Sequence, residues 1–248
     1  MANSSVKHQK LIIGVFNCPR FRFRVKGIKN SWLPHLPPSA RVLFVYGRPG
    51  EASSIEGDKL FLDCPEAYER LPQKTHEFLK FCINELEFDY VFKTDDDSFI
   101  DLDRFLELDL EKADYIGQFK ETPLAEHGKT WHYGKCTDKS FEVPYDKPFV
   151  CGWATGGGYF LSRKGAGIAV EKTARTYSDS LYEDMMIGEA LTIDPRIRSL
   201  KTSFIEIGLI NPLAYYDMKY IQDLLTERKE LRQRLAKLKS ELEAGSQE

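Results

Sequence analysis

Apolar and polar positions alternate along the first hundred residues in blocks that predict an α/β domain. Short apolar runs at Leu11–Phe16, 41–47, 58–63 and 88–94 each have the length of a buried strand. Between the last two runs, apolar residues at helical spacing predict a helix over 73–86. A helix that joins two buried strands is typical of a right-handed crossover, and therefore of a parallel sheet.

The second half of the chain interrupts this pattern with a long polar interval. Residues 118–150 are polar, aromatic and proline-bearing, and we expect them to form an excursion over one face of the sheet. Three glycines at 156–158 predict a turn, which leads into a strand and a helix. Residues 181–191 are acidic at first and apolar afterwards, which predicts a further helix.

The C-terminal segment differs in kind from the rest. Spacings of four and three relate Leu224, Leu231, Leu235, Leu238 and Leu242 once Arg228 is counted at one position of the seam, which is a short coiled-coil pattern. We expect a helix there that forms a homodimer, packs back on the domain or leads into a further domain. The predicted division is therefore a main domain over 1–220 and a helical tail over 221–248.

Composition excludes several classes of protein. Of the 248 residues, 42% are hydrophobic and 29% charged, so the chain is not disordered by composition. The formal net charge of −3 gives no support for nucleic acid or an anionic membrane as the main partner. The longest early apolar run is too short for a membrane span and lacks a signal-peptide cleavage site, so we expect a soluble, cytoplasmic chain. Five cysteines without a CxxC pair predict buried reduced thiols.

Three consecutive aspartates lie where the fourth predicted strand ends. Ligands of parallel sheets bind beyond the carboxyl ends of the strands, which is where Asp95, Asp96 and Asp97 fall. If the backbone stays extended, Asp95 and Asp97 point to the same side and can hold one hard divalent cation. A solvated acidic turn that caps a helix beginning at Leu102 is an equally open alternative.

Two other aspartate motifs do not match. A calcium loop of the EF-hand type needs glycine and glutamate at its sixth and twelfth positions, where this chain has Ile100 and Leu106. A phosphotransferase with an aspartate nucleophile typically has Thr or Val where Phe99 stands, which argues against that class.

Five segments, taken in order, carry a resemblance to a known family. They are RFRVKGIKNSW (22–32), DCPEAYERLPQKT (63–75), FDYVFKTDDDSF (88–99), PYDKPFVCGWATGGGYFLS (144–162) and YEDMMIG (182–188). Each motif alone is weak, but their order and spacing together resemble the β-1,3-galactosyltransferase family, which includes the fringe-type N-acetylglucosaminyltransferases. The resemblance extends over about residues 11–204.

This resemblance implies a GT-A fold, with a Rossmann-like and mostly parallel central sheet flanked by helices. It implies a nucleotide-sugar donor, usually UDP-linked, and a Mn²⁺ or Mg²⁺ ion that bridges Asp97, together with Asp95, to the diphosphate. By the same resemblance, Asp95 and Asp96 lie near the ribose and the donor sugar, and Asp184 is the catalytic base. Glu183 and Asp184 diverge by about 100° on a helix, so only one of them can face the pocket.

Other side chains are candidates for binding the nucleotide sugar, and each has an ordinary structural alternative. Cations after the first strand can contact phosphate, and glycines allow the backbone to approach a ligand closely. The indole of Trp153 can stack on a sugar ring, and so can that of Trp131. The alternatives are a solvated cation, a plain loop, a core aromatic residue and an acid that stabilises a helix N-terminus. The candidates are Arg24, Lys29, Gly157, Gly158, Trp153 and Glu183.

The chain departs from the family pattern in ways that predict a distant branch. Family members often supply a histidine as a metal ligand after the E-D motif, but none of the five histidines here follows Asp184. Asn211 or Asp217 can take that place. Arg70 stands where the family has asparagine, and the usual N-terminal membrane anchor is missing. The N-terminal module of a viral or microbial multidomain glycosyltransferase fits these departures.

The function predicted from these residues is transfer of a hexose, galactose before others, from a UDP-sugar to a hydroxyl of a glycan or glycoprotein acceptor. By family analogy the transfer inverts the anomeric centre. The alternative is a nucleotide-sugar or glycan-binding module that has kept the fold and lost catalysis, which the missing histidine supports.

Overall fold

The computed structural model describes residues 9–100, 102–120, 128, 130–147, 149–202, 205, 206, 230, 233 and 234. Its strands are β1 Leu11–Phe16, β2 Ala40–Gly47, β3 Ser54–Glu56, β4 Lys59–Leu62, β5 Tyr90–Asp95, β6 Phe99–Ile100, β7 Tyr115–Lys120, β8 Trp153–Ser162, β9 Ser199–Lys201 and β10 Ile205–Glu206. Its α-helices are α1 Phe23–Asn30, α2 Leu71–Glu85, α3 Leu102–Leu106, α4 Arg163–Thr173 and α5 Glu183–Leu191.

Eight of these strands form one sheet in the order β3-β4-β2-β1-β5-β8-β7-β9. Strands β4, β2, β1 and β5 run parallel to one another, as do β7 and β9. Strand β8 runs antiparallel to both of its neighbours, and β3 runs antiparallel to β4. Most pairings are therefore parallel, and the predicted α/β fold, with a central sheet flanked by helices, is confirmed.

The core lies on both faces of the sheet. Alternate residues of β1 belong to different apolar clusters, with Ile12 on one face and Ile13 on the other. Helices α2, α4 and α5 cover the first face, while α1 and α3 contribute to the second. A strand covered on both faces must be apolar at every position, which explains the unbroken run in β1. Gly14 lets α2 approach, because a Cβ there would lie 2.3 Å from the Phe78 ring.

The structure corrects the sequence predictions in two places. The glycines at 156–158 lie inside β8, where Gly158 pairs with Thr94 of β5, so the predicted turn was wrong. Helix α1 was not predicted, because it buries only Ile28 and has no apolar stripe. The other predicted strands and helices of the first half lie within a few residues of their expected bounds.

Three further predictions concern the chain as a whole. None of the five cysteines forms a disulfide, and four of them are buried, as predicted. Among the described residues, no helix combines the length and the apolar character needed to cross a membrane. The predicted tail at 221–248 lies outside the described residues except for Glu230, Gln233 and Arg234, so the domain division stays a prediction.

Candidate active site

The three aspartates, Asp95 to Asp97, form what we call the aspartate turn. It lies at the end of β5, at the edge of the sheet where β1 and β2 also end. Asp96 turns inward, and its Oδ2 accepts a hydrogen bond from Asn17 Nδ2 at 2.5 Å. Its Oδ1 accepts a second bond from an Arg24 Nη at 2.5 Å. Burial raises the pKa of Asp96 to about 7, although the Arg24 charge opposes this rise. Asp96 therefore ties the end of β5 to β1 and α1.

Asp95 and Asp97 are the two aspartates of the turn that solvent reaches. Their side chains are 37% and 53% exposed, whereas that of Asp96 is 7% exposed. Arg24 also lies 3.4 Å from Asp97 Oδ2, so its guanidinium bridges the inward and the outward carboxylate. The backbone does not stay extended as the prediction required: β5 ends at Asp95, and a turn at Asp96 and Asp97, closed by the bond from the Ser98 N–H to the Asp95 carbonyl, directs Asp96 inward.

The donor set of this turn suits only one mode of metal binding. Within the described part of the chain, no group of three or more His, Cys, Asp or Glu side chains is arranged to hold a metal ion. A Mg²⁺-like ion is often bound by one or two carboxylates together with substrate phosphates. Asp95 and Asp97 fit that mode. The proposed replacement ligands, Asn211 and Asp217, lie outside the described residues.

Lys93 connects the aspartate turn to helix α5. Its Nζ donates to Asp95 Oδ1 at 2.7 Å, to the Gly156 carbonyl at 2.7 Å and to Glu183 Oε1 at 2.5 Å. Burial opposes the charge on Lys93, but the two adjacent carboxylates outweigh it and raise the pKa of the ammonium. Three acceptors satisfy all three donors of the ammonium, so the buried cation is fully paired.

Glu183 is the buried counterion of Lys93. Its other oxygen, Oε2, accepts from the Tyr159 hydroxyl at 3.0 Å and from Thr75 Oγ1 at 3.4 Å. Burial raises the pKa of Glu183 to about 7, against the effect of Lys93. These contacts are all with protein groups, and the residue is 5% exposed. The predicted role of Glu183 in binding the donor stays a prediction.

Asp184 is directed differently from its neighbour, as expected for adjacent residues of a helix. Its Oδ2 accepts from the Gly156 N–H at 3.2 Å, and its Oδ1 accepts from the Met185 N–H at 2.9 Å. Burial raises its pKa. Gly156 is needed here, because a Cβ at that position would lie 2.9 Å from Glu183 Oε1. An aspartate held by backbone donors, with a raised pKa, is suited to general base catalysis.

Two candidate glycines lie next to this site within the sheet. Gly158 pairs with Thr94 of β5, and the Gly157 carbonyl accepts from Thr94 Oγ1 at 2.7 Å. Both glycines are buried. It is the preceding residue, Gly156, whose N–H and carbonyl contact Asp184 and Lys93; the sequence indicated it only as one of three glycines that allow close backbone approach.

The other two candidates have protein partners. Trp153 is 3% exposed and packs against Phe149, with ring centroids 5.4 Å apart. Lys29 forms an ion pair with Asp58, just before β4. The predicted contacts of Trp153 and Lys29 with the nucleotide sugar therefore stay predictions.

An ion pair between the buried Lys74 and the partly buried Glu66, not predicted from the sequence, supports the same edge of the sheet. Lys74 Nζ lies 2.8 Å and 3.0 Å from the two Glu66 oxygens and donates to the Asn17 carbonyl at 2.9 Å. Glu66 Oε2 also accepts from the Gly47 N–H at 2.6 Å. The ends of β1 and β2 are thereby fixed to α2. Glu66 and Lys74 both lie in the DCPEAYERLPQKT motif, which is the sequence feature that could have indicated them.

The excursion after β7 is fixed beside this site. The carboxylate of Glu69, 5% exposed, accepts from the Thr137 and Asp138 N–H groups at 3.1 Å and 2.9 Å. His132 Nδ1 lies 2.5 Å from the hydroxyl of Tyr182, the residue that precedes α5. The predicted excursion thus lies against the helix that carries Asp184.

Comparison with known proteins finds relatives that are named as β-1,3-glycosyltransferases. Mouse UDP-GalNAc:beta-1,3-N-acetylgalactosaminyltransferase 2 is 28% identical over 118 residues, which are 46% of this chain and 22% of that protein. The probable beta-1,3-galactosyltransferase 13 of Arabidopsis thaliana is 28% identical over 163 residues, 56% of this chain and 47% of that one. The chain thus spans less than half the length of these relatives.

One solved structure gives a weaker likeness. The glycosyltransferase GlyE of Streptococcus pneumoniae TIGR4 has a TM-score of 0.39 and 13% identity, over 78% of this chain and 45% of that chain. This likeness adds nothing to the assignment. The family model of the galactosyltransferases matches residues 48–201, which are more than half of the chain and include the aspartate turn, Lys93 and Asp184. The chain therefore belongs to the galactosyltransferase family.

Proposed function

We propose that this chain is a metal-dependent glycosyltransferase that moves a hexose from a UDP-sugar to a hydroxyl of an acceptor glycan. Galactose is the proposed hexose, and inversion is the proposed stereochemical course. The observation that carries the proposal is the bridge made by Lys93. Through it, the exposed aspartates after β5 and the helix that begins with Glu183 and Asp184 belong to one site.

On the donor side, Asp97 and Asp95 would hold Mn²⁺ or Mg²⁺ together with the diphosphate. The ion would stabilise the negative charge that develops on the leaving diphosphate. Arg24 supplies a fixed positive charge next to this position. Its guanidinium is held by Asp96 and lies 4.0 Å from the centroid of the Phe21 ring.

On the acceptor side, Asp184 would take the proton of the acceptor hydroxyl. As that oxygen forms its bond to the anomeric carbon, the bond from the anomeric carbon to the diphosphate oxygen breaks, and UDP carries away the electron pair. The hydrogen bonds from Gly156 and Met185 orient the carboxylate. Burial keeps its pKa above the usual value, which strengthens it as a base.

The test is release of UDP from UDP-galactose, in Mn²⁺ and in EDTA, with a panel of glycan acceptors. We expect turnover in Mn²⁺ only. We expect Asp184→Asn to lose at least about a hundredfold, the lower range for general base catalysis. Asp109→Asn is the matched control, since the Asp109 side chain is 44% exposed and pairs with the exposed Lys112. Full turnover by Asp184→Asn, or turnover in EDTA, would contradict the proposal.

A second function is supported by two observations. The described residues hold no group of three metal-ligating side chains, and the histidine expected after Asp184 is missing. A nucleotide-sugar or glycan-binding module would bind UDP in Mn²⁺ and release none from UDP-galactose in the same assay. The rate of UDP release therefore distinguishes the two functions, whereas the affinity for UDP does not.

A further inference from the structure

Most of the exposed apolar side chains among the described residues belong to the excursion after β7. Among the described residues, six large apolar side chains are exposed, and four of them lie between residues 131 and 150. Scattered exposed apolar residues are ordinary, but a concentration of them marks a binding surface. The four are Trp131, Tyr133, Val143 and Val150, which are 37%, 45%, 57% and 62% exposed.

Trp131 is held firmly in this surface. Its ring centroid lies 5.5 Å from that of Tyr182 and 6.2 Å from that of Phe149. The next residue, His132, is fully buried and contacts the Tyr182 hydroxyl through Nδ1 and the Val143 carbonyl through Nε2. These partners fix the imidazole as the Nε2–H tautomer, which donates to the carbonyl and accepts from the phenol. The indole is thus attached to the residue that precedes α5.

This attachment places Trp131 at the start of the helix that carries the proposed base. It contacts Tyr182, which is two residues before Asp184 at the start of the same helix. A second aromatic residue, Tyr68, lies beside the same excursion, because the adjacent Glu69 accepts from the Thr137 and Asp138 N–H groups. Burial raises its pKa, and the charges of Asp184 and Asp95 add to that rise.

Each of these two aromatic rings has a lysine over its face. Lys120 Nζ lies 5.2 Å from the Trp131 ring, and Lys135 Nζ lies 5.2 Å from the Tyr68 ring. An aromatic face next to an ammonium offers both an apolar platform and a hydrogen-bond donor. A sugar ring has matching features, since one face carries C–H groups and its rim carries hydroxyls.

We propose that Trp131 and Tyr68, with Lys120 and Lys135, form the subsite for the acceptor sugar. A pyranose, of which a β-galactoside is the example, lies with its C–H face on Trp131 and directs one hydroxyl toward Asp184. The lysines donate to its other hydroxyls. This inference rests on the proposed function only in taking Asp184 as the base.

The test is saturation-transfer NMR with methyl β-D-galactopyranoside, in the absence of donor and metal. We expect transfer to the ring protons in the wild-type chain and about a tenfold weaker affinity in Trp131→Ala, the upper range for one aromatic contact. Trp131→Phe should restore most of the affinity, because it keeps an aromatic face. Ile193→Ala, which removes an exposed apolar side chain beyond the end of α5, should bind as the wild type does.

No transfer in the wild type, or unchanged affinity in Trp131→Ala, would overturn the subsite. Thermal unfolding of each variant shows whether Trp131→Ala is folded, and if it is not, Trp131→Phe and Lys120→Met decide the question by their affinities. Because the titration contains no UDP-sugar, its outcome is separate from that of the proposed function. A chain that binds the glycoside but releases no UDP would retain the subsite and lose the transferase activity.

Discussion

Lys93 Nζ lies 2.5 Å from Glu183 Oε1, and this buried ion pair joins the strand that ends in the aspartate turn to the helix that carries Asp184. Removing one member leaves the other buried without its counterion. We expect Lys93→Met to lower the free energy of unfolding by about 3–5 kcal/mol, the range for a broken buried pair. Urea denaturation of the variant and the wild type measures this difference.

The double variant is the control for this prediction. Lys93→Met combined with Glu183→Gln removes both charges, so it should lose less stability than the sum of the two single variants. Additive losses would mean that the two residues contribute independently. In that case the pair does not join β5 to α5 energetically.

Gly156 gives a prediction about the close approach of β8 to α5. An alanine Cβ there would lie 2.9 Å from Glu183 Oε1 and 3.7 Å from Asp184 Cβ. We expect Gly156→Ala to displace both carboxylates and to reduce UDP release at least about tenfold, since small misplacements of catalytic groups are costly. Gly167→Ala in α4 is the matched control, because nothing lies within 4 Å of its Cβ. Equal activity of the two variants would show that the approach is not required.

The raised pKa of Asp184 predicts the pH dependence of turnover. A general base works only when deprotonated, so turnover should fall as the pH falls through that pKa. Because burial raises this pKa, the acid limb should lie above about 3.9, the ordinary value for aspartate. The measurement is the rate of UDP release against pH at saturating UDP-galactose and Mn²⁺. A rate that stays constant down to about pH 4 would rule out Asp184 as a base with a raised pKa.

His76 predicts a pH dependence of stability away from the site. It lies in α2, contacts Thr173 Oγ1 at 2.8 Å, and burial lowers its pKa. Below about pH 6.5, the unfolded chain therefore takes up a proton that the folded chain resists. We expect the stability of the wild type, relative to His76→Gln, to be constant above about pH 7 and to decrease as the pH falls below 6.5. Thermal unfolding at several pH values checks this, and a parallel pH dependence of both proteins would contradict it.

Much of the fold could be predicted because its strands are buried on both faces. The run in β1 is apolar throughout for that reason, and β5 ends at the aspartates as expected. Helix α1 could not be predicted, because one buried isoleucine leaves no periodic signal. The glycines of β8 indicate a turn when local propensity is considered alone, but Gly158 pairs with β5 and Gly156 packs closely against α5, so the segment continues the strand.

The residues of the site could be predicted from sequence motifs, but the contacts between them could not. The sequence predicts that adjacent helix residues Glu183 and Asp184 point in different directions. In the structure they have different partners, since Asp184 accepts from the Gly156 N–H and Glu183 from Lys93. That Lys93 contacts both the aspartate turn and α5 could not be predicted, because this contact joins residues 90 positions apart. The same holds for Glu69 and the excursion, where a side chain binds backbone N–H groups that carry no sequence signal.

Calorimetric titration with UDP, with and without Mn²⁺, tests the central claim most directly. If Asp97 and Asp95 hold the ion that carries the diphosphate, UDP should bind the wild type tightly in Mn²⁺ and at least about tenfold more weakly in EDTA, a loss of about 1.4 kcal/mol. Asp97→Asn should bind UDP equally weakly in both conditions, while Asp109→Asn should behave as the wild type. Affinity for UDP that does not depend on Mn²⁺, or that Asp97→Asn retains in full, would contradict the account.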